Sequence, residues 1–439
     1  MDAFDPVESW EREARERWID TRLGALLTRA RQAPLYRARL ADCPAGTPLG
    51  LPTLAHLAPL DKATWVAASP PRSHEALTGP LTDALVFRSG GSTGDPKFSI
   101  YSHAEFAAAM PLFSRTYRAA GLAPEDRVAN LFAAGSLYAS FKFVDRLLET
   151  MGCLNFPYTA SADAEVVADG VTRFGLNVLV GFPSRLLQVM PAIAARGARI
   201  EKIFYAGEHL HPEDRQRLVR ELGVRVIASA GYGAVDSGLM GHACPASPPG
   251  HHHVLSDHVW LEIVDPDHGG PVGPGEPGEL LVTNLDRHLQ PVIRYRVGDR
   301  ARWVGADCPC GRKTPVFDLL GRADDALRLG YATLTRAEAL AALATVAPVG
   351  QAVQLVKQRQ AGREVLCLRV EVLEPEADPG LAERLAEALL RSKPDLARLI
   401  GTGSLAPVRV ELYPQNGIPR VSVTGKFQGV RDETLAQDE

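Results

Sequence analysis

Four short apolar runs, Val128 to Phe132, Leu176 to Phe182, Ile203 to Tyr205 and Val224 to Ala228, alternate with stretches of helical periodicity. Strands separated by helix-length segments cannot close as tight hairpins, so this alternation predicts a mainly parallel sheet covered by helices. Upstream, Trp10 to Leu40 is rich in Arg, Glu, Ala and Leu, with apolar residues recurring at three and four. That spacing reads as amphipathic helices packing on a later core. From His258 to Ala301 the texture changes to β-strands around a Gly/Pro turn, Gly269 to Gly278, before Glu279 to Leu285. After Gly321 a smaller unit begins, with strand patterns at Val353 to Val356, Glu364 to Val372 and Val408 to Leu412, and a helix at Leu381 to Arg391. The expected fold is therefore α/β: a body over 1–320 of mainly parallel sheets flanked by helices plus a β-rich subdomain, then a small α+β domain over 321–439.

Composition narrows the function classes. With 46% hydrophobic and 23% charged residues, the chain is of ordinary globular type. A net charge of −4 and the lack of any Lys/Arg block argue against nucleic acid as the main partner. No apolar run reaches the ~18 residues needed to span a bilayer, and Met1-Asp2-Ala3-Phe4-Asp5 lacks a basic-then-apolar leader pattern, so the expectation is a cytoplasmic enzyme without a membrane partner. Nothing in the composition decides for or against a homodimer. Six cysteines in 439 residues are too sparse for a disulfide scaffold, and any cluster among them reads first as metal binding or reactivity.

The chemistry starts at Ser89-Gly90-Gly91-Ser92-Thr93-Gly94-Asp95-Pro96-Lys97, which follows the apolar run Ala84 to Phe87. Glycines let backbone N–H groups approach phosphate oxygens, hydroxyls donate further hydrogen bonds, and Lys97 adds a full charge. The segment is a polyphosphate loop, yet neither common spacing fits: it contains no Gly-Lys pair, and its glycines fall at 90, 91 and 94.

The order [ST]-[SG]-G-[ST]-T-G-x-P-K resembles the phosphate loop of the adenylate-forming superfamily, and further segments resemble its phenylacetate-CoA ligase-like family. Gly181-Phe182-Pro183-Ser184 is similar to that family's G-x-P-S turn, and Ala206-Gly207-Glu208 to its loop beside adenine and the acyl pocket. Gly231-Tyr232-Gly233-Ala234-Val235-Asp236 resembles the Y-G-x-T-E segment, with Val235 in place of Thr and Asp236 in place of Glu. Pro271 to Thr283 follows the family hairpin, and Tyr295-Arg296-Val297-Gly298-Asp299 follows Y-R-T-G-D. Gly321-Arg322-Ala323-Asp324-Asp325 fits the hinge, and Gly425-Lys426 the G-K of the mobile catalytic lysine, although the spacing from Pro419-Arg420 is slightly longer than in the family.

The resemblance implies ATP-dependent activation of a carboxylic acid to an acyl adenylate, with transfer to CoA. In such a reaction two anions must meet, so charge compensation comes from the protein and a metal. Lys97 and the loop would hold the departing phosphates, Asp236 would hold Mg²⁺, and Lys426 would bridge the acyl oxygen and the α-phosphate. Asp299 would accept from both ribose hydroxyls, Arg322 would reach the nucleotide, and Asp324 would be the pivot of a mobile C-terminal domain. Tyr138, Phe141, Tyr158 and Tyr205 would line an aromatic acyl pocket suited to a flat ring. The acceptor stays open between CoA and an amine, hydroxyl or carrier-protein thiol. A third reading, from the departures at Val235 and Asp236, is a nucleotide-binding homologue with reduced catalysis.

A second constellation is Cys308-Pro309-Cys310-Gly311, with Cys244 and His251-His252-His253 upstream. Cys244, one of these histidines, Cys308 and Cys310 would complete a closed tetrahedral structural zinc site. The resemblance favours His253. The competing reading is a turn carrying reduced, unligated thiols.

Overall fold

The computed structural model describes residues 6–88, 97–135, 137–207, 210, 212–248, 250–266, 268–305, 308–322, 326–329, 332–347, 352–360, 363–403, 405–420 and 427–433. These fall into two compact units, one formed by 6–88 and 97–320, the other by the described residues from 321 onward.

The α/β expectation is borne out. In the first unit a five-stranded sheet runs in the order Leu154–Phe156, Arg127–Leu131, Val178–Gly181, Lys202–Tyr205, Val226–Ser229, every pair parallel. The second strand in sequence lies outside the first, so the winding reverses between Arg127–Leu131 and Val178–Gly181. Ligands of open α/β sheets bind at such a switch, beyond the carboxyl ends of the strands. Alternating side chains feed two cores. One holds Val128, Val180 and Phe204 against the helices His103–Ala119 and Ala139–Met151. The other holds Leu179 and Ile203 against Ala164–Phe174, Pro183–Ala195 and Pro212–Leu222.

Local signals set the helix limits. Ser102 and Glu105 form a reciprocal capping box at the start of His103–Ala119, Asp163 caps the N–H of Glu165, and Gly152 ends Ala139–Met151 in the left-handed conformation.

The β-rich part is a seven-stranded sheet, wider than sequence texture suggested. Its order is Val259–Val264, Gly278–Asn284, Tyr295–Trp303, Val316–Arg322, His251–Val254, Gly238–His242, Tyr232–Ala234. Two buried stripes of the N-terminal helices Arg12–Ala30 and Pro34–Ala41, including Leu23, Leu27 and Tyr36, pack on its Leu261, Leu280 and Val282. A separate antiparallel pair, Ala84–Arg88 with Phe98–Ser102, flanks the Gly/Ser/Thr segment and aligns Arg88 with Phe98. Lys97 is thereby carried at the start of a strand.

The second unit is α+β. A four-stranded mixed sheet, ordered Arg409–Tyr413, Arg363–Glu371, Val353–Gln360, Val430–Asp432, packs Leu355, Leu366 and Leu368 against the helices Arg336–Leu343, Leu381–Ser392 and Pro394–Gly401. Among the described residues, no helix is long and apolar enough to cross a membrane.

Candidate active site

Asp236 lies in the turn between Tyr232–Ala234 and Gly238–His242, and its side chain is buried. Lys97 Nζ donates a hydrogen bond to Asp236 Oδ2 and another, of 2.8 Å, to the Tyr295 hydroxyl. Tyr295 in turn hydrogen bonds to the Asp236 carboxylate. Burial works against ionisation of Asp236, but the Lys97 charge and the hydrogen bonds from Lys97 and Tyr295 outweigh it and hold the carboxyl below its usual range. The result is a buried, ionised carboxylate beside an ammonium. Such a group suits a hard divalent cation, and the ammonium suits phosphate.

Asp299, on Tyr295–Trp303, is also buried, and its Oδ2 accepts a 2.5 Å hydrogen bond from the Tyr232 hydroxyl. Tyr232 thus has a role beyond lining a loop. In the sequence Tyr295 stands only as the first residue of Y-R-V-G-D and carries no role of its own, because a phenol offers no charge to mark it.

The loops at the carboxyl ends of the last two parallel strands hold Ala206-Gly207 and Ala230-Gly231, tied by a 2.7 Å bond from Ala230 N to Tyr205 O. Gly207 has φ +79°, and a Cβ there would lie 2.8 Å from Phe182 Cε1, so only glycine fits beside that ring. Gly231 has φ +124°, with Leu239 Cδ1 2.7 Å from the place of a Cβ. At Gly233 the backbone of Gly238 comes equally close.

The four aromatic residues named for an acyl pocket divide between two cores. Tyr138 and Phe141, at the start of Ala139–Met151, pack against the core on one face of the parallel sheet. Tyr158 and Tyr205 pack against the core of the opposite face. Strand alternation explains Tyr205, because Phe204 before it already points to the first face. Tyr158 lies over Gly170, where a Cβ would meet its hydroxyl at 1.8 Å.

The sulfur and imidazole groups do converge. The ligand atoms of Cys244, His253, Cys308 and Cys310 lie within 4.8 Å of one another. Cys244 Sγ is 3.5 Å from Cys308 Sγ, and Cys310 Sγ is 3.4 Å from His253 Nε2. Ligands of a tetrahedral zinc stand about 3.5–3.8 Å apart, given bonds of about 2.0–2.3 Å. His253 Nδ1 lies 3.1 Å from Thr314 Oγ1, a partner that orients the ring with Nε2 toward the thiols. Alternation removes His252, which turns to the other face and stacks on Phe317, and of the two histidines left it is His253 whose Nε2 reaches the thiols. The Cys308–Cys310 turn is anchored through Arg312, whose Nε donates 2.9 Å to Glu8 Oε1 of the N-terminal segment.

Ser89, Gly90, Gly91, Ser92, Thr93, Gly94, Glu208, Asp324 and Lys426 lie outside the described residues, as does the side chain of Arg322.

Residues 12–285 match the family model described as AMP-binding enzyme. The chain belongs to the AMP-binding enzyme family. Its AMP-binding region thus takes in the parallel sheet, Lys97 and Asp236. The chain is 26% identical over 370 residues to a phenylacetate-coenzyme A ligase of Thermus thermophilus, covering 80% of each chain. It is 25% identical over 256 residues to an indoleacetate–lysine synthetase of Pseudomonas savastanoi, covering 56% of this chain and 59% of that one. In fold it is similar to a 2-hydroxyisobutyryl-CoA ligase solved in the postadenylation state, with a TM-score of 0.76 at 21% identity, covering 99% of this chain and 95% of the other. The resemblance to phenylacetate-CoA ligase-like adenylate-forming enzymes is borne out.

Proposed function

We propose that this AMP-binding enzyme is an acid-CoA ligase that joins an aromatic carboxylic acid to AMP, releases pyrophosphate and passes the acyl group to CoA. The observation that carries the reading is the meeting of Lys97 and Asp236, both within the family-matched residues 12–285, with Tyr295 just beyond that region. Lys97 would grip the leaving pyrophosphate together with the loop that precedes it. The buried Asp236 carboxylate and its hydrogen bond to Tyr295 fit a site for Mg²⁺, which when bound neutralises charge developing on the phosphates. Asp299, already oriented by Tyr232, would take the ribose hydroxyls, and Ala206, Gly207, Gly231 and Gly233 would let backbone approach the nucleotide. Tyr138 and Phe141 on one face of the parallel sheet and Tyr158 and Tyr205 on the other are the aromatic groups proposed for the acyl chain.

The 321–439 unit would supply Lys426 to the α-phosphate and Arg322 to the nucleotide, turning about Asp324 between the two half-reactions. Cys244, His253, Cys308 and Cys310 have the number, type and spacing for a closed structural zinc, and its chemistry would be confined to pinning their two loops.

Pyrophosphate release measured over a panel of aromatic acids, with and without CoA, tests the reading. CoA consumption matched to pyrophosphate supports the ligase. Adenylate without CoA consumption would move the acceptor to an amine, hydroxyl or carrier thiol, a reading that the similarity to a lysine-conjugating synthetase makes worth including. Nucleotide binding with no pyrophosphate from any acid would leave the reduced-catalysis reading.

A further inference from the structure

Arg287 is among the largest fully buried side chains of the protein, 1% exposed, and makes no ion pair among the described residues. Its guanidinium is spent on backbone and neutral groups. One terminal nitrogen donates 2.6 Å to the Asp236 carbonyl and 3.2 Å to Ser99 Oγ. The other donates 2.8 Å to the Ile100 carbonyl and 3.4 Å to Gln290 Oε1. The plane sits 3.6 Å from the ring centroid of Tyr101. An arginine buried without a carboxylate partner is unfavourable, so its retention in the core calls for a compensating role.

Its neighbours show what that role is. The Tyr101 hydroxyl donates 2.8 Å to the Val235 carbonyl, and Asn284 Nδ2 donates 2.6 Å to the Ser237 carbonyl. Together with Arg287 on the Asp236 carbonyl, every carbonyl from Val235 to Ser237 receives a side-chain donor. The same guanidinium holds Ser99 and Ile100, which lie two and three residues beyond Lys97 on the strand Phe98–Ser102. One rigid fork therefore fixes the turn that presents the carboxylate and the strand that presents the ammonium.

We propose that Arg287 is a positioning residue that sets Asp236 against Lys97 from behind, without touching the substrate. The inference rests on the reading of Lys97 and Asp236 as nucleotide-site groups. The planar fork is what the role needs: a lysine could reach one of the two backbone segments but not brace both.

The test compares Arg287→Met and Arg287→Lys in the full chain. Folding is followed by circular dichroism, and two readouts are taken. The first is acetylation of Lys97 by acetic anhydride, quantified by peptide mass spectrometry against the exposed Lys142. The second is the Mg²⁺ dependence of pyrophosphate release. Arg287→Met is expected to raise Lys97 acetylation, to raise half-saturating Mg²⁺ by about tenfold or more and to lower kcat by about a hundredfold, with the KM for the acid within twofold. Arg287→Lys is expected to fall between wild type and Met on both readouts. Wild-type labelling and Mg²⁺ dependence in folded Arg287→Met would overturn the proposal. If Met does not fold, the same result in Arg287→Lys overturns it. Equal loss of acid KM and kcat with no recovery by lysine also overturns it, since that marks a general packing defect. If wild type releases no pyrophosphate with any acid, the ligase reading falls, and Lys97 labelling still decides the role of Arg287.

Discussion

Lys97 and Asp236, 139 residues apart, form a buried hydrogen-bonded ion pair whose carboxylate is held ionised against its own burial. The pair joins the strand after the phosphate segment to the turn between two strands of the antiparallel sheet, which explains why neither residue alone announces the site.

Removing the cation reverses the pH response. In wild type the folded-state pKa of Asp236 is depressed, so the stabilisation is full above the unfolded value near 4 and is lost as pH falls through the folded value. In Lys97→Met, burial, the largest influence, is opposed only by the remaining hydrogen bonds such as that from Tyr295, so the carboxyl pKa rises and the variant loses stability as pH rises. Urea unfolding should show a loss of about 3 kcal/mol at pH 7 and a clearly smaller one at pH 4.

Tyr232→Phe removes the hydroxyl that orients Asp299. With a charge-assisted bond of about 1.5 kcal/mol lost, the KM for ATP should rise about tenfold while kcat changes less than twofold. Steady-state kinetics at saturating acid checks this, and a selective fall in kcat would count against a nucleotide-holding role for Asp299.

Gly207→Ala forces a side chain into a left-handed conformation and against Phe182. A stability loss of about 1–2 kcal/mol is expected, together with a raised KM for ATP, since the loop that carries Gly207 must shift away from Phe182. Thermal unfolding combined with ATP titration measures both.

If the Cys/His cluster holds zinc, purified protein should carry close to one equivalent, and Cys308→Ser should carry markedly less by elemental analysis. Because Arg312 ties the same turn to Glu8, chelation should also expose the N-terminal segment to limited proteolysis before the rest of the body opens. Unchanged proteolysis of zinc-free protein would separate the turn from the segment.

Lys426→Ala should abolish adenylate formation while nucleotide affinity stays within threefold, the loss being at least about a hundredfold by analogy with one missing electrostatic donor. Isothermal titration beside pyrophosphate release distinguishes this from a binding role, which would weaken both together.

Several features were legible without coordinates because they are local. β-branched runs separated by helix-length segments marked the parallel strands, and the motifs from Ser89 to Lys97 and from Tyr295 to Asp299 marked the family. The cysteine and histidine set was also readable from ligand types, and the resemblance pointed to His253, whose Nε2 the fold brings to the thiols. The acyl pocket was less so. Aromatic residues near strand ends look alike in sequence, and only the face on which each emerges separates Tyr138 and Phe141 from Tyr158 and Tyr205.

The sequence by itself determined the family, the kinds of groups available for adenylate chemistry and the two-part α/β architecture, because these follow from residue type and short-range spacing. Tertiary structure alone decided which groups touch. The Lys97–Asp236–Tyr295 contact, the Tyr232–Asp299 bond and the bracing of Asp236 by Arg287 each join segments more than fifty residues apart. Such contacts depend on sheet order and register, and an arginine whose terminal nitrogens are held by backbone carbonyls and neutral side chains has no carboxylate partner in the sequence to reveal it.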